Sequence, residues 1–413
     1  MRKERCIYSM KSSGRLSRST NSTKPVWAVA ILATMIVAPA VWPRTGRRPA
    51  EPQSASGDQF DYRFAFKGNV AEAPAEMLCE RLFVPVRVNQ AKPSLFAIAV
   101  ATPNSLIQEG TAPTDQGLTQ ALLALPGLEM KTSGIAASDL SNLSALVGAS
   151  VHGVFGADVL RHFVLDIDYD RSSVIFHDAN GFQYTGKGTV VPLVIRNGVP
   201  SVHAKISLPG HGTFEDEFDI QTAYSGSVAI SKSYVVAHKL HMGHMKALKF
   251  PEAAGSTTIV TRAKFISFGP YSVDNAIVEF PGDHSDVTTP GAMIGNAIWR
   301  KFRVILDIPH QRMILESNSS FPNDVDYDKS GVRIEASGPN LKTFQVAGVA
   351  TKSPGSEAGL QTGDIIAGID NQPAADLTLS EIRAMFRETK DYKLTVLRHD
   401  KTVDLKLKTH RLV

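Results

Sequence analysis

Cysteine is nearly absent: the 413 residues hold two, Cys6 and Cys79. That excludes a disulfide framework. Cys79 reads as a small buried apolar residue, because no histidine stands in a motif that would make it a nucleophile. Long amphipathic helical patterns are scarce. A Gly-x-Ser-x-Gly elbow, a His-Glu-x-x-His helix and a phosphate-binding glycine loop are all missing, which removes the hydrolases, metalloproteases and nucleotide enzymes those motifs serve. No basic patch marks a folded domain for nucleic acid either.

The formal charge of +4 misleads on this point. Residues 1–48 hold ten of the 44 Lys and Arg residues and one of the 40 acids, Glu4. The remainder has 34 bases against 39 acids and is mildly acidic. The basic excess flanks an uncharged run, "VWAVAILATMIVAPAVW", Val26–Trp42. Its 17 residues sit at the short end for a membrane-spanning helix. The stronger positive flank is N-terminal, so residues 1–25 are expected as a cytoplasmic tail and the body as exported, periplasmic or extracellular. Ala38-Pro39-Ala40 also suits a signal-peptidase site. The long tail before the run, and Arg44, Arg47 and Arg48 after it, favour an uncleaved signal anchor over 26–42. On that reading Cys6 and Cys79 face different compartments and cannot pair.

Residues 43–58 are a linker by composition, rich in Pro, Ser, Gly and Arg. From Phe60 onward short apolar runs such as "LFVPVRV", "LFAIAV" and "FVLDIDY" alternate with turn residues, which predicts a mainly β fold. An internal repeat divides this region. "VFGADVLRHFVLDIDY" (154–169) matches "MIGNAIWRKFRVILDI" (293–308), aligning Gly156 with Gly295, Phe163 with Phe302 and Asp168 with Asp307. Upstream, "LFAIAVATPNSLI" (95–107) pairs with "EFDIQTAYSGSVAI" (217–230), aligning Ala99 with Gln221 and Ala101 with Ala223. Two similar β lobes follow, 59–190 and 191–322.

This arrangement resembles the pepsin/retropepsin-like aspartic proteases, in the bacterial membrane-anchored form with a PDZ domain. The resemblance implies a two-lobed β-barrel body. In that family each lobe brings hydrophobic-hydrophobic-Asp-Thr-Gly to a shared cleft, braced from behind by a hydrophobic-hydrophobic-Gly block. Two adjacent carboxylates share a proton because both cannot ionise comfortably. One activates water and the other protonates the substrate. The threonines lock the turns together, and the glycines allow the backbone to turn.

Here the chemistry is gone. The first turn reads Ala99-Val100-Ala101 and the second Gln221-Thr222-Ala223. Gln cannot take up a proton near neutral pH. Thr222 alone of the motif survives, so no catalytic residue is expected and both motifs are degenerate. Asp219, two residues before Gln221 on the same strand face, is the one acid a register shift would bring near the cleft. Asp166, Asp168, Asp170 and Asp307 are expected to cap turns and face solvent. No cofactor or metal is expected. "HKLHMGHM" places His238, His241 and His244 at steps of three among methionines, a set copper or zinc would accept, but the default is a solvated helix end.

Beyond about Asp328 the texture changes. "SPGSEAGLQTGDIIAGIDNQP" (353–373) carries the resemblance to a bacterial PDZ domain, taken over 328–411. A short helix is expected over Glu357–Leu360 and a strand over Ile365–Ile369. Thr378 and Glu381 form a capping box for the next helix. A PDZ domain adds an extended peptide to a strand edge, while loop N–H groups capture its terminal carboxylate. By resemblance the loop and edge are Gly331, Val332, Arg333 and Ile334, and the helix side is Leu379 and Ile382.

The resulting expectation is an anchored, extracytoplasmic pseudoprotease that binds protein or peptide and no nucleic acid. The alternative is an active aspartic-type endopeptidase with PDZ-guided substrate choice, acid-favoured and statine-sensitive. A third reading makes the β body a spacer whose cleft binds nothing.

Overall fold

The computed structural model describes residues 60–413 apart from 67, 116–117, 241–245, 253–255 and 281–290. The expected tail, anchor and linker, with Cys6, and the residues His241 and His244 lie outside the described residues. Among the described residues no helix is long and apolar enough to cross a membrane.

Four sheets organise the described residues. In lobe 1, strand Ser94–Ile98 lies antiparallel to Arg81–Val88 and parallel to Val151–Phe155. In lobe 2, Gly212–Gln221 lies antiparallel to Val199–Leu208 and parallel to Ala292–Gly295. The central strand runs out at Ala99 in one lobe and at Gln221 in the other, the two positions the repeat aligns. Phe96 and Ala97, neighbours on opposite strand faces, are both buried, so lobe 1 covers the strand on both sides.

Gly156 and Gly295 then cap one-turn helices, Ala157–Leu160 and Asn296–Trp299, with almost the same backbone angles (φ −94°, ψ −177° and φ −100°, ψ −178°). The strands that follow, Phe163–Asp168 and Phe302–Asp307, pair antiparallel with each other. Asp166 lies opposite Ile305, its own counterpart in the repeat, so a local twofold axis passes through that pair. A six-stranded sheet with one hairpin from each repeat forms there and joins the lobes. Phe163 and Phe302 are fully buried, each within an aromatic cluster. The body is thus a two-lobed, pepsin-like β structure. The boundary expected at 190/191 falls inside strand Thr189–Pro192, which pairs with Arg312–Ser317.

Two acids expected to face solvent do not. Asp166 is 3% exposed and receives two bonds from Arg303 of the other lobe, at 2.8 and 2.6 Å. Asp307 is wholly buried against Arg312 and His310. Asp168 does cap a turn, accepting from the Arg171 amide at 3.0 Å.

The C-terminal sheet runs Val332–Ser337, Thr343–Val349, Ile365–Ile369, Asp391–Arg398, Lys401–Lys408. Strand Val332–Ser337 is an edge, beside helix Leu379–Met385. The Thr378–Glu381 capping box starts that helix. The shorter helix spans Pro354–Glu357 rather than Glu357–Leu360, because Ser353 caps it and Pro354 fits its first turn.

Candidate functional site

The two turns meet at the lobe junction. The Thr222 hydroxyl donates to the Ile98 carbonyl at 2.6 Å and accepts from the Val100 amide at 3.3 Å. The reverse tie is missing because Val100 has no hydroxyl. Behind each turn sits a glycine with no room for a side chain. A Cβ on Gly156 would lie 2.6 Å from the Asn104 carbonyl carbon, and one on Gly295 would lie 2.2 Å from the Gly226 oxygen. Amides next to these glycines hold the turns: Ala157 donates to Thr102 at 2.7 Å and Asn296 to Tyr224 at 2.8 Å.

No carboxylate occupies either turn. Ala99 and Val100 are fully buried. The Gln221 side chain folds back to accept from the Ala223 amide at 3.3 Å. Asp219 is engaged elsewhere: Ser201 donates to it at 2.7 Å, and Arg196 stands 3.9 Å away. Burial pushes its carboxyl up, against the Ser201 bond and the Arg196 charge.

Sequence reasoning missed Arg81, a buried cation at the start of strand Arg81–Val88. It is 9% exposed and donates to the Cys79 carbonyl at 3.2 Å. Burial, then the Arg383 charge, pushes its guanidinium down to about 10. Tyr224 and Glu279 carry the opposite influence on it, and burial with Glu279 raises the Tyr224 phenol.

The second candidate surface is the C-terminal groove. Val332, Ile334, Leu379 and Ile382 are all buried, at 7% exposure or less. Gly331 has a left-handed backbone, φ +69°, and its missing Cβ would touch Ser353 at 2.4 Å, so this position suits glycine. Arg333 points away from the groove helix, to Glu252 of lobe 2 at 3.3 Å and over the Phe250 ring at 4.3 Å. Ser330 N and Gly331 N donate to the Asp328 carboxylate at 3.0 and 2.6 Å, and Val332 N donates to the Ser330 hydroxyl at 3.0 Å. Asp328 was not anticipated; an Asp two residues before a Ser-Gly turn was the available signal.

His238 stacks on Tyr234 with ring centroids 4.0 Å apart and stands 3.5 Å from Asp216. Among the described residues no group of three or more His, Cys, Asp or Glu is placed to hold a metal.

Residues 323–397 match the family model of the PDZ domain. The chain carries a PDZ domain. No curated protein matches the chain. Among solved structures, it is similar to the HtrA3 PDZ domain bound to a phage-derived ligand, at 23% identity, over 20% of this chain and 86% of that one, with a TM-score of 0.19. An aspartic proteinase from Irpex lacteus aligns at 11% identity over 62% of this chain and 99% of that one, TM-score 0.39. Basic 7S globulin from soybean aligns at 9% identity over 61% and 95%, TM-score 0.39.

Proposed function

We infer that this chain is a membrane-anchored, extracytoplasmic pseudoprotease, which holds protein or peptide through its protease-like cleft and its PDZ domain without cutting it. One observation carries the reading. Thr222 still crosses between the lobes to Ile98, yet the positions it locks are Ala99 and Gln221. The brace, the turn and half of the tie persist without the groups that activate water.

The groove residues Gly331, Val332, Ile334, Leu379 and Ile382 supply the peptide edge in this reading. Arg333 serves the contact with lobe 2 instead. The mildly acidic body supports a polypeptide partner over nucleic acid. The anchor rests on the charge pattern around Val26–Trp42.

The test uses the full-length chain in detergent and an unfolded, carboxymethylated test protein. Cross-linking should join the test protein to residues of the cleft or groove, while intact mass shows it uncut. Uncut protein with no cross-links to the cleft would favour the spacer reading; cutting would end the pseudoprotease reading. Topology is checked separately. In intact cells Cys6 should resist a membrane-impermeant thiol reagent until the membrane is permeabilised.

A further inference from the structure

Three parts of the PDZ groove are engaged by the chain itself. The first is the loop that would seat a ligand's terminal carboxylate. Its amides at Ser330 and Gly331 already bind a carboxylate, that of Asp328, and the Val332 amide is taken by the Ser330 hydroxyl. The second is the strand edge. Arg383, from the groove helix, donates to the Ile334 carbonyl at 2.7 Å. That bond occupies one of the carbonyl's two lone pairs and competes with an incoming strand for it.

The third is the space between strand and helix. Lobe-1 helix Ser141–Val147 lies against strand Val332–Ser337. It ends at Gly148 in a left-handed conformation, φ +70°. A Cβ on Gly148 would lie 2.8 Å from the Leu379 Cβ, so this backbone rests directly on the first residue of the groove helix. One apolar cluster runs continuously from Ala97, Ala99, Val147 and Val154 of lobe 1 into Val332, Ile334, Leu379 and Ile382.

Polar contacts fasten the same interface. The Cys79 amide donates to the Ser380 hydroxyl at 3.1 Å, and the two side chains stand 3.5 Å apart. Glu80 bonds Arg387, just beyond the groove helix, and Arg300 of lobe 2 at 2.6 Å. Cys79 and Glu80 are the two central residues of the hairpin turn between Glu76–Leu78 and Arg81–Val88, and they hold the positive φ, +46° and +63°, that such a turn requires.

We propose that the chain keeps its own PDZ groove shut, with the lobe-1 segment 141–148 along the groove and Asp328 in the carboxylate seat, so that peptide binds only after lobe 1 leaves. This rests on the PDZ groove being a peptide site. A groove open in a small fraction of molecules shows an affinity reduced by that fraction, and unlatching restores it in proportion. Glu80→Gln removes both ion pairs, and Gly148→Val drives a side chain into Leu379. Ser380→Cys does the reverse, placing a thiol beside Cys79 for an oxidative lock.

The test measures binding of a random heptapeptide library with free C-termini to the full-length chain, in a Cys6→Ser background. Hydrogen exchange over 332–337 and 379–385 reports groove opening. Expected is binding at least about tenfold tighter in Glu80→Gln and Gly148→Val than in the parent. The oxidised Ser380→Cys chain should bind nothing and recover on reduction. Equal binding by parent, unlatched and oxidised chains would overturn the closure and leave the peptide site standing. No binding by any form, although exchange shows the groove freed in the unlatched chains, would overturn the peptide site and the closure with it. Should one unlatching variant misfold, the other and the lock still decide.

Discussion

The hydroxyl of Thr222 reaches across the lobe junction to the carbonyl of Ile98 at 2.6 Å, the one retained side-chain tie between two turns that carry no acid. The same oxygen receives the Val100 amide. Thr222→Val keeps the shape and strands both backbone groups in a dry site. It should cost about 2–6 kcal/mol, since each buried unsatisfied group costs about 1–3 kcal/mol. Urea denaturation of the full-length chain measures this. A loss under about 0.5 kcal/mol would mean the tie is incidental.

The glycines behind the turns give a steric prediction. Gly295→Ala sets a methyl 2.2 Å from the Gly226 oxygen, a backbone atom that cannot rotate away. The expected loss is about 3 kcal/mol, at the upper end for overpacking. Gly156→Ala should cost somewhat less, because its nearest atom is 2.6 Å away. Both are read from urea midpoints at constant m.

Much of this junction was legible in the sequence, and the reason is repetition. Two Gly…Phe…Asp blocks at equal spacing fix two equivalent strand–helix–strand units, and the local twofold at Asp166 and Ile305 follows from them. The capping box at Thr378 was legible because its bonds span only three residues. What escaped was tertiary. Asp166 looked like a turn residue because its partner, Arg303, lies 137 residues away in the other repeat. Helix Ser141–Val147 is too short to show a helical period, so its place against the PDZ strand was invisible. Asp328 sits at the seam between lobe 2 and the PDZ domain, where neither pattern extends.

The Asp166–Arg303 pair sets an acid limit on the body. Burial pushes the Asp166 carboxyl up, but the His177 ring 3.8 Å away and the bonds from Arg303 outweigh it and hold it below the ordinary value. A depressed carboxyl contributes stability present above its unfolded value, near pH 4, and lost as pH falls through the folded value. Asp166→Asn should therefore destabilise at pH 7, by about 1–3 kcal/mol, since it removes the charge-assisted bonds from Arg303 and leaves that side chain only Glu316, at 3.4 Å. The gap from the parent should narrow by pH 3. A gap independent of pH would show that the pair does not govern acid stability.

Asp328 has the opposite sign. Burial pushes its carboxyl up to about 6, despite the Ser330 and Gly331 bonds. The folded chain then binds the proton more tightly than the unfolded chain. Its contribution is complete below about pH 4 and is lost as pH rises through about 6. Relative to Asp328→Asn, the parent should gain roughly 1–2 kcal/mol between pH 7 and pH 4. Urea curves at both pH values check this, and a gap that is flat or widens toward pH 7 would contradict it.

Filling of the loop by Asp328 also has a binding consequence. Asp328→Ala frees the Ser330 and Gly331 amides. In an unlatched chain it should raise the preference for free over amidated C-terminal peptides, by about tenfold if one charge-assisted bond pair is gained. Competition between the two peptide forms reads the ratio. An unchanged ratio would mean that this loop is not a carboxylate seat.

The central claim is that a protease-like body here cuts nothing. Its most direct test is mass spectrometry of a proteome-derived peptide library incubated with the full-length chain from pH 3 to pH 8, with circular dichroism confirming a folded sample at each pH. The account predicts no new peptide termini at any pH, with or without a statine inhibitor. Reproducible new termini that survive mock-purification controls and vanish in Asp219→Asn would contradict it, and would place the working carboxylate beside Ser201 rather than at Ala99 and Gln221.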